Sequence, residues 1–255
     1  DRSMLSFTGV NDSASQVDVN TLNPRIVGIF TGSGVFHVAT SYNGLSGNQM
    51  CGATSVNDTD WYISEQGGLY TNNSSSALVS DNIRSVKTFG GTAYGLKAST
   101  SAACVFSISG LSGTSFSGLS GLPNGTIGMH DFYMISSGAN GKAFDVIYIL
   151  EDSSATSGTI YKYSLVNGTW VTNNSYKTSF GGNGMVAETY DGGANLYILT
   201  GDGMTTGNSL VKLYDNAGYN SAISISSADN VTLYNTKSGR IIKGVAFAPN
   251  KETLK

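Results

Sequence analysis

The chain has 255 residues, 33 of them glycine, and 12% of its residues are charged, with a formal net charge of −3. Globular proteins usually carry about 25% charged residues, and no segment here concentrates lysine and arginine. These features exclude binding of nucleic acid or an anionic membrane through a basic patch, and no apolar run approaches the ~20 residues of a membrane-spanning helix.

Runs of β-branched and aromatic residues, separated by turns rich in Gly, Asn, Asp and Ser, predict strands along the whole chain. Three predicted strands open it, at residues 4–10, 25–30 and 35–39. One strand type then recurs five times, and a strand with a central tyrosine follows each of the first four copies. The recurring strands are predicted at residues 50–56, 83–89, 129–135, 185–190 and 242–248, and the tyrosine strands at 60–64, 92–96, 146–150 and 195–199. No segment has the helical period of about 3.6 residues, so we expect essentially no helix.

Residues 145–168 and 194–218 repeat each other. Both contain a Tyr-Ile-Leu triplet, which begins at Tyr148 in the first copy and at Tyr197 in the second, 49 positions later. A period of about 40–50 residues with several short strands per unit is typical of β-propeller blades. We therefore predict an all-β fold, a single β-propeller domain over residues 1–255 with about five four-stranded blades.

The predicted strand at residues 242–248 has no second strand after it, whereas the chain begins with one at residues 4–10. We expect the C-terminal strand to complete the blade that the N-terminal strands begin, so that both ends of the chain share a blade. Such closure would remove the exposed edge strands that favour aggregation.

Five short motifs follow one another at residues 60–70, 82–85, 131–133, 208–215 and 241–249, and the last reads Ile-Ile-Lys-Gly-Val-Ala-Phe-Ala-Pro. In content and order they resemble a group of secreted β-propeller proteins of uncharacterised function. Members of that group begin with a further stretch of strands, about one blade, that has no counterpart before residue 4. The resemblance implies either a five-bladed ring or five blades of a six-bladed ring, and it carries no established catalytic residues.

Eight Asn-x-Ser/Thr sites occur, a mild excess over chance, and most lie in turn-like stretches where a glycan can be attached. Because the chain begins at Asp1 without a signal sequence, we expect a mature or trimmed product. Together with the scarcity of lysine, the sites favour a secreted, extracellular glycoprotein. They are Asn11, Asn57, Asn72, Asn73, Asn124, Asn167, Asn173 and Asn230.

Cys51 and Cys104 leave two alternatives open. An even number of cysteines in a secreted chain suggests a disulfide, whereas a cysteine in a strand is often a small buried apolar residue. Neither cysteine has a histidine nearby, which excludes the usual zinc patterns, and we expect no metal and no cofactor. The Asp-Gly pairs at residues 191–192 and 202–203 lack the ligand spacing of a calcium loop and are interpreted as tight turns.

His130, Asp131 and Glu188 are the candidates for a polar cluster at the mouth of a propeller channel. Neighbouring residues on a strand point to opposite faces, so His130 and Asp131 reach one ligand only if a bulge intervenes. The alternative is an aspartate in a turn and a structural histidine. Trp61 is a candidate platform for stacking a sugar ring, and the alternative for it is a place in the core. No residue is predicted to be catalytic.

These features favour a non-enzymatic β-propeller that acts as a structural or interaction module of a cell surface, an extracellular matrix or a filament. Its expected partners are other extracellular proteins, glycans or further copies of the chain in a homopolymer. The alternative is an extracellular polysaccharide-binding lectin or polysaccharide-active enzyme with its site at the channel mouth.

Overall fold

The protein is all-β, as predicted. The computed structural model describes residues 4–12, 18–100, 102–110, 115–202, 207–237 and 239–250. Within these ranges, 18 strands form five antiparallel sheets of three or four strands, and the helical segments are two short 3-10 turns. None of the helical segments in these ranges has the length and apolar character that crossing a membrane requires.

The strands follow one another along the chain, and each sheet is built from consecutive strands. They are β1 (Met4–Val10), β2 (Arg25–Thr31), β3 (Phe36–Tyr42), β4 (Met50–Ser55), β5 (Trp61–Glu65), β6 (Gly68–Thr71), β7 (Ile83–Phe89), β8 (Thr92–Lys97), β9 (Val105–Ser109), β10 (Ser115–Gly118), β11 (Met129–Ile135), β12 (Val146–Ser154), β13 (Ser157–Val166), β14 (Thr169–Thr178), β15 (Gly182–Tyr190), β16 (Gly193–Thr200), β17 (Ser209–Asp215) and β18 (Val231–Asn235). The 3-10 turns are Val19–Thr21 and Ser227–Asp229.

The sheets β7–β10, β11–β14 and β15–β18 have four strands, as predicted, whereas β1–β3 and β4–β6 have three. The recurring strands correspond to β4, β7, β11 and β15, and each is the first strand of its sheet. The tyrosine strands correspond to β5, β8, β12 and β16. Several boundaries differ by a few residues: β15 begins at Gly182 rather than at residue 185, and β12 ends at Ser154 rather than at residue 150.

The predicted C-terminal strand at residues 242–248 is wrong, because this segment has no strand in the structure. The side-chain amide of Asn208 forms hydrogen bonds with both backbone polar groups of Ile242. Its Nδ2 donates to the carbonyl oxygen at 2.9 Å, and its Oδ1 accepts from the N–H at 2.9 Å. A side chain thus occupies groups that a neighbouring strand would need. Among the described residues, the sheet that contains β1 consists of β1, β2 and β3, so a blade shared by both chain ends is not formed.

The chain divides into two compact units. The first contains the sheets β1–β3, β4–β6 and β7–β10, and the second contains β11–β14 and β15–β18. The single domain over residues 1–255 stays a prediction.

In the first unit, one face of β1–β3 packs against β4–β6 through a core that includes Val27, Ile29, Trp61 and Ile63. The first strands are also bonded to one another: the Ser6 hydroxyl of β1 donates to a backbone carbonyl of β4 at 2.7 Å. Side-chain hydroxyls of β4 and β7 meet at 2.9 Å. First strands of successive sheets therefore lie side by side in this unit.

The second unit repeats this arrangement. Its core includes Tyr148 and Ile160 from β11–β14 and Met185, Leu196 and Val211 from β15–β18, all of them at most 4% exposed. The two sheets therefore bury apolar side chains face to face, which is the packing expected of stacked antiparallel sheets.

Four of the five first strands carry a β-bulge at their second residue. In each case the pairing register moves two residues along the first strand but only one along its partner, so one residue of the first strand has no opposite partner. A bulge of this kind re-aims the side chain of the extra residue. The extra residues are Cys51 in β4, Arg84 in β7, His130 in β11 and Asn183 in β15.

Candidate functional site

A histidine and a carboxylate meet at the bulge of β11. His130 Nε2 lies 3.9 Å from Asp152 Oδ2, and the side chains are 19% and 8% exposed. The other carboxylate oxygen, Asp152 Oδ1, is buried and has no hydrogen-bond partner. Burial raises the pKa of Asp152, a hydrogen bond with the Ser154 backbone offsets part of this rise, and the negative charge of Asp202 adds to it. This carboxyl group therefore holds a proton more readily than an exposed aspartate does.

The neighbouring bulge adds a second unsatisfied acceptor. Asn183 Oδ1 is buried and also lacks a hydrogen-bond partner. Asp131 Oδ2, one residue after the β11 bulge, accepts from the N–H of Met185, two residues after Asn183, at 2.7 Å. The bulges of β11 and β15 therefore lie at the same end of the second unit. We call His130, Asp152 and Asn183 the bulge-end cluster.

Asp131 itself is committed to the backbone rather than to a ligand. It is 7% exposed, and its two oxygens accept from the N–H groups of Phe132 at 2.9 Å and of Met185 at 2.7 Å. Its carboxylate thus joins β11 to β15. The bulge that the sequence argument required is present, yet it presents His130 and leaves Asp131 buried.

The Asp131→Asn variant is expected to lose about 1–3 kcal/mol of unfolding free energy. The NH2 group of the asparagine side chain would then face one of the two backbone N–H groups, so two donors would meet without an acceptor. Urea denaturation would measure this. In the matched His130→Gln variant the loss should stay below about 1 kcal/mol, since the side chain at the bulge is partly exposed. Equal midpoints for Asp131→Asn and the unmodified protein would contradict this role of Asp131.

The structure does not bring Glu188 to the bulge-end cluster. Glu188 lies three residues beyond Met185 on β15, roughly 10 Å along an extended strand. Its Oε1 accepts from the Tyr197 hydroxyl at 2.7 Å. Trp61 is 1% exposed in the core of the first unit, which removes it as a stacking platform.

A buried cation joins the two sheets of the second unit. Lys162 Nζ of β13 lies 2.8 Å from Asp215 Oδ2 of β17, and the side chains are 1% and 0% exposed. The ammonium group also donates to the carbonyl oxygens of Ala217 at 2.6 Å and Gly218 at 3.0 Å. The Tyr148 hydroxyl donates to the same Asp215 oxygen at 2.8 Å. All three ammonium protons have acceptors, so Lys162 is a structural cation rather than a nucleophilic amine.

The first unit contains a matching group of residues. Arg25 Nη1 of β2 pairs with Glu65 Oε1 of β5, both fully buried, and the Tyr42 hydroxyl donates to the same oxygen at 2.7 Å. Burial, and then the Glu65 charge, raise the pKa of Tyr42. In each unit, therefore, a cation, a carboxylate and a tyrosine join neighbouring sheets, and these charges are withdrawn from any surface site.

Both cysteines are present as thiols, so the disulfide alternative is not realised in the structure. Cys104 is fully buried. Burial raises the pKa of the Cys51 thiol to about 12, which leaves almost no nucleophilic thiolate at neutral pH.

One face of the sheet β1–β3 is apolar and exposed. Opposed residues of antiparallel strands share a face, and the register aligns Leu5 with Phe30 and Phe36, and Phe7 with Gly28 and Val38. We call this surface the aromatic face; it consists of Leu5, Phe7, Gly28, Phe30, Phe36 and Val38.

The three phenylalanines of the aromatic face form one cluster. Their ring centroids are 5.3–6.0 Å apart, and Phe7, Phe30 and Phe36 are 37%, 39% and 48% exposed. A Cβ atom at Gly28 would lie 2.7 Å from the Phe7 ring and 2.9 Å from the Phe36 ring, so both rings lie directly over the glycine backbone. Sequence reasoning missed this surface, although the pairing of strands 4–10, 25–30 and 35–39 could have indicated it.

The eight glycosylation sites differ in accessibility. Asn72 is half-buried, and its amide donates to the Thr59 carbonyl at 2.6 Å and accepts from the Trp61 N–H at 2.7 Å. Asn173 is 6% exposed. Six sites are exposed: Asn11, Asn57, Asn73, Asn124, Asn167 and Asn230.

Among the described residues, no group of three or more His, Cys, Asp or Glu side chains is placed to hold a metal ion. Comparison with models of known protein families gave no match for this chain, and comparison with curated protein sequences gave none either. The case for a function therefore depends on the geometry described above.

Proposed function

We propose that the five sheets are consecutive blades of a β-propeller. Three features support this proposal: each sheet is built from consecutive strands, the first strands lie side by side within each unit, and four of them carry a bulge at the same position. A propeller repeats one antiparallel sheet in this way around an axis.

The function proposed for this propeller is that of a non-enzymatic structural or interaction module outside the cell, at a cell surface or in a matrix or filament. The aromatic face is the observation that carries the proposal. Interface cores are rich in aromatic residues and poor in charge, and the aromatic face contains three phenylalanines and no charged residue.

Secretion and glycosylation belong to the same proposal. In material secreted from a eukaryotic host, we expect N-glycans on exposed sites such as Asn167 and none on Asn173, because a glycan there would prevent burial of the side chain. Intact mass before and after enzymatic glycan removal would measure the number of glycans. The Asn167→Gln variant should lose the mass of one glycan, and the matched Asn173→Gln variant should lose none.

Two results would overturn this proposal. One is retention of the chain inside the secreting host without any glycan, which would remove the support for an extracellular role. The other is turnover of an extracellular polysaccharide that is lost in a variant of the bulge-end cluster.

The bulge-end cluster favours a second candidate, a polysaccharide-binding or polysaccharide-active site. A histidine beside a carboxyl group of raised pKa is an arrangement that acid–base catalysis uses, and the His130 side chain is 19% exposed. A screen of neutral polysaccharides for binding and for release of reducing ends would test it. Loss of such activity in Asp152→Asn, but not in Glu188→Gln, would favour the second candidate.

A further inference from the structure

The sheet β1–β3 is apolar on both faces. Val27 and Ile29 lie in the core that it forms with β4–β6, whereas the aromatic face on its other side leaves Phe7, Phe30 and Phe36 exposed. Sheets with two apolar faces are usually covered on both. The aromatic face therefore has the chemistry of a sheet-packing surface, and it is exposed among the residues that the structure describes.

The sheet β15–β18 also has exposed apolar residues on the face that points away from the core of the second unit. Val211 and Leu213 of β17 pack into the core of the second unit, so Leu210 and Lys212 point to the opposite face. The register places Tyr234 opposite Leu210, and Val231 opposite Lys212. We call this surface the β18 face; it consists of Leu210, Lys212, Val231 and Tyr234.

The β18 face complements the aromatic face. Val231 and Tyr234 are 45% and 51% exposed, and they offer apolar surface to the phenylalanine rings. Lys212 is the cation of the β18 face, and an ammonium group over an aromatic ring is attracted by its electrons. The aromatic face has no cation of its own that would repel Lys212.

We propose that the aromatic face of one copy of this chain binds the β18 face of a second copy. This inference rests on the proposed function as an interaction module and names its partner as the chain itself. The two surfaces differ, so the contact is heterologous, and each bound copy leaves one face open for the next. Repetition of the contact builds an open filament or a ring.

The exposed area of the aromatic face indicates a small interface. Taking about 200 Å² for each phenylalanine side chain, the three rings expose roughly 250 Å², which is close to the ~300–600 Å² of the largest patch on a typical monomer. A stable interface buries about 800 Å² per partner. Association is therefore expected at micromolar rather than nanomolar concentration.

Two variants that each remove one face test the proposal. Phe7→Thr/Phe36→Thr removes the aromatic face, and Val231→Thr/Tyr234→Thr removes the β18 face. Sedimentation velocity from about 1 to 100 µM, the range expected for a small interface, should show assemblies larger than a dimer for the unmodified chain. Each variant alone should remain monomeric. An equimolar mixture should form a dimer and nothing larger, because only one intact pair of faces remains.

The control is Val171→Thr, which changes an exposed valine of β14 outside both faces and should leave assembly unchanged. Circular dichroism would verify that each variant is folded. If the phenylalanine double variant does not fold, the single variant Val38→Lys, at a residue 46% exposed, takes its place with the same expected result.

Three results would overturn the proposal: a monomeric unmodified chain at every concentration, self-association of the Val231→Thr/Tyr234→Thr variant, or a mixture that forms no dimer. The second result would mean that two aromatic faces bind each other. A monomer that is still secreted and glycosylated would refute this inference alone, whereas retention inside the cell would refute the proposed function.

Discussion

Replacing Asp215 by alanine is expected to destabilise the second unit by about 3–5 kcal/mol, because the Lys162 ammonium group would remain buried without its carboxylate. The side chains are 0% and 1% exposed, so water cannot take the place of the lost partner. Chemical denaturation followed by tryptophan fluorescence and circular dichroism would measure the loss.

The double variant Lys162→Met/Asp215→Leu provides the control. Replacing both members of a buried ion pair by apolar residues of similar size is often neutral or stabilising. We therefore expect it to recover most of the stability that Asp215→Ala loses. A loss below about 1 kcal/mol in Asp215→Ala would mean that the pair is hydrated in solution.

Two adjacent glycines at the start of β16, Gly192 just before the strand and Gly193 as its first residue, should respond very differently to alanine. A Cβ atom at Gly193 would overlap the backbone carbonyl oxygen of Asp215, and nothing lies within 4 Å of one at Gly192. Gly193→Ala is expected to cost about 3 kcal/mol, at the upper end for overpacking, because a backbone atom cannot rotate away. Gly192→Ala should cost about 1 kcal/mol, since its φ of +77° lies in the left-handed region.

Thermal or urea unfolding of the two variants side by side would measure this difference. Both variants add one methyl group at neighbouring positions, so the comparison sets a steric contact with β17 at Gly193 against backbone strain at Gly192. Equal losses would mean that β17 is able to move away from the turn, and would contradict the register of β16 with β17.

The strands were predictable because each signal is local. The tyrosine of β12 and the flanking turn residues, which include Gly, Asn and Asp, are enough to predict the position of the strand, whichever strand it pairs with. The bulge at His130 was not predictable in this way, because a bulge is a relation between two strands and their register. The wrong strand prediction at residues 242–248 has a similar cause. The strand pattern is present in the sequence, but Asn208, 34 positions before Ile242, forms hydrogen bonds with the backbone groups of Ile242.

The candidate site was less predictable than the fold. Asp131 and Trp61 are residue types that often bind ligands, and only tertiary contacts show that one bonds to Met185 and the other lies in the core. Asp152 gave no sequence signal, because its importance depends on burial and on the approach of His130. Phe7 and Phe36 were predicted strand residues whose exposure depends on what covers the other side of their sheet.

The bulge position has four unlike occupants: a thiol, a guanidinium, an imidazole and an amide, at Cys51, Arg84, His130 and Asn183. The extra residue has no direct opposite in the pairing register, so the ladder on either side is kept whichever side chain it carries. Geometry at this position is thus held constant while chemical identity varies. Substitutions there are expected to change the chemistry of the position without disturbing the strand pairing, which makes the second residue of these four strands a natural point for evolving or engineering new specificity.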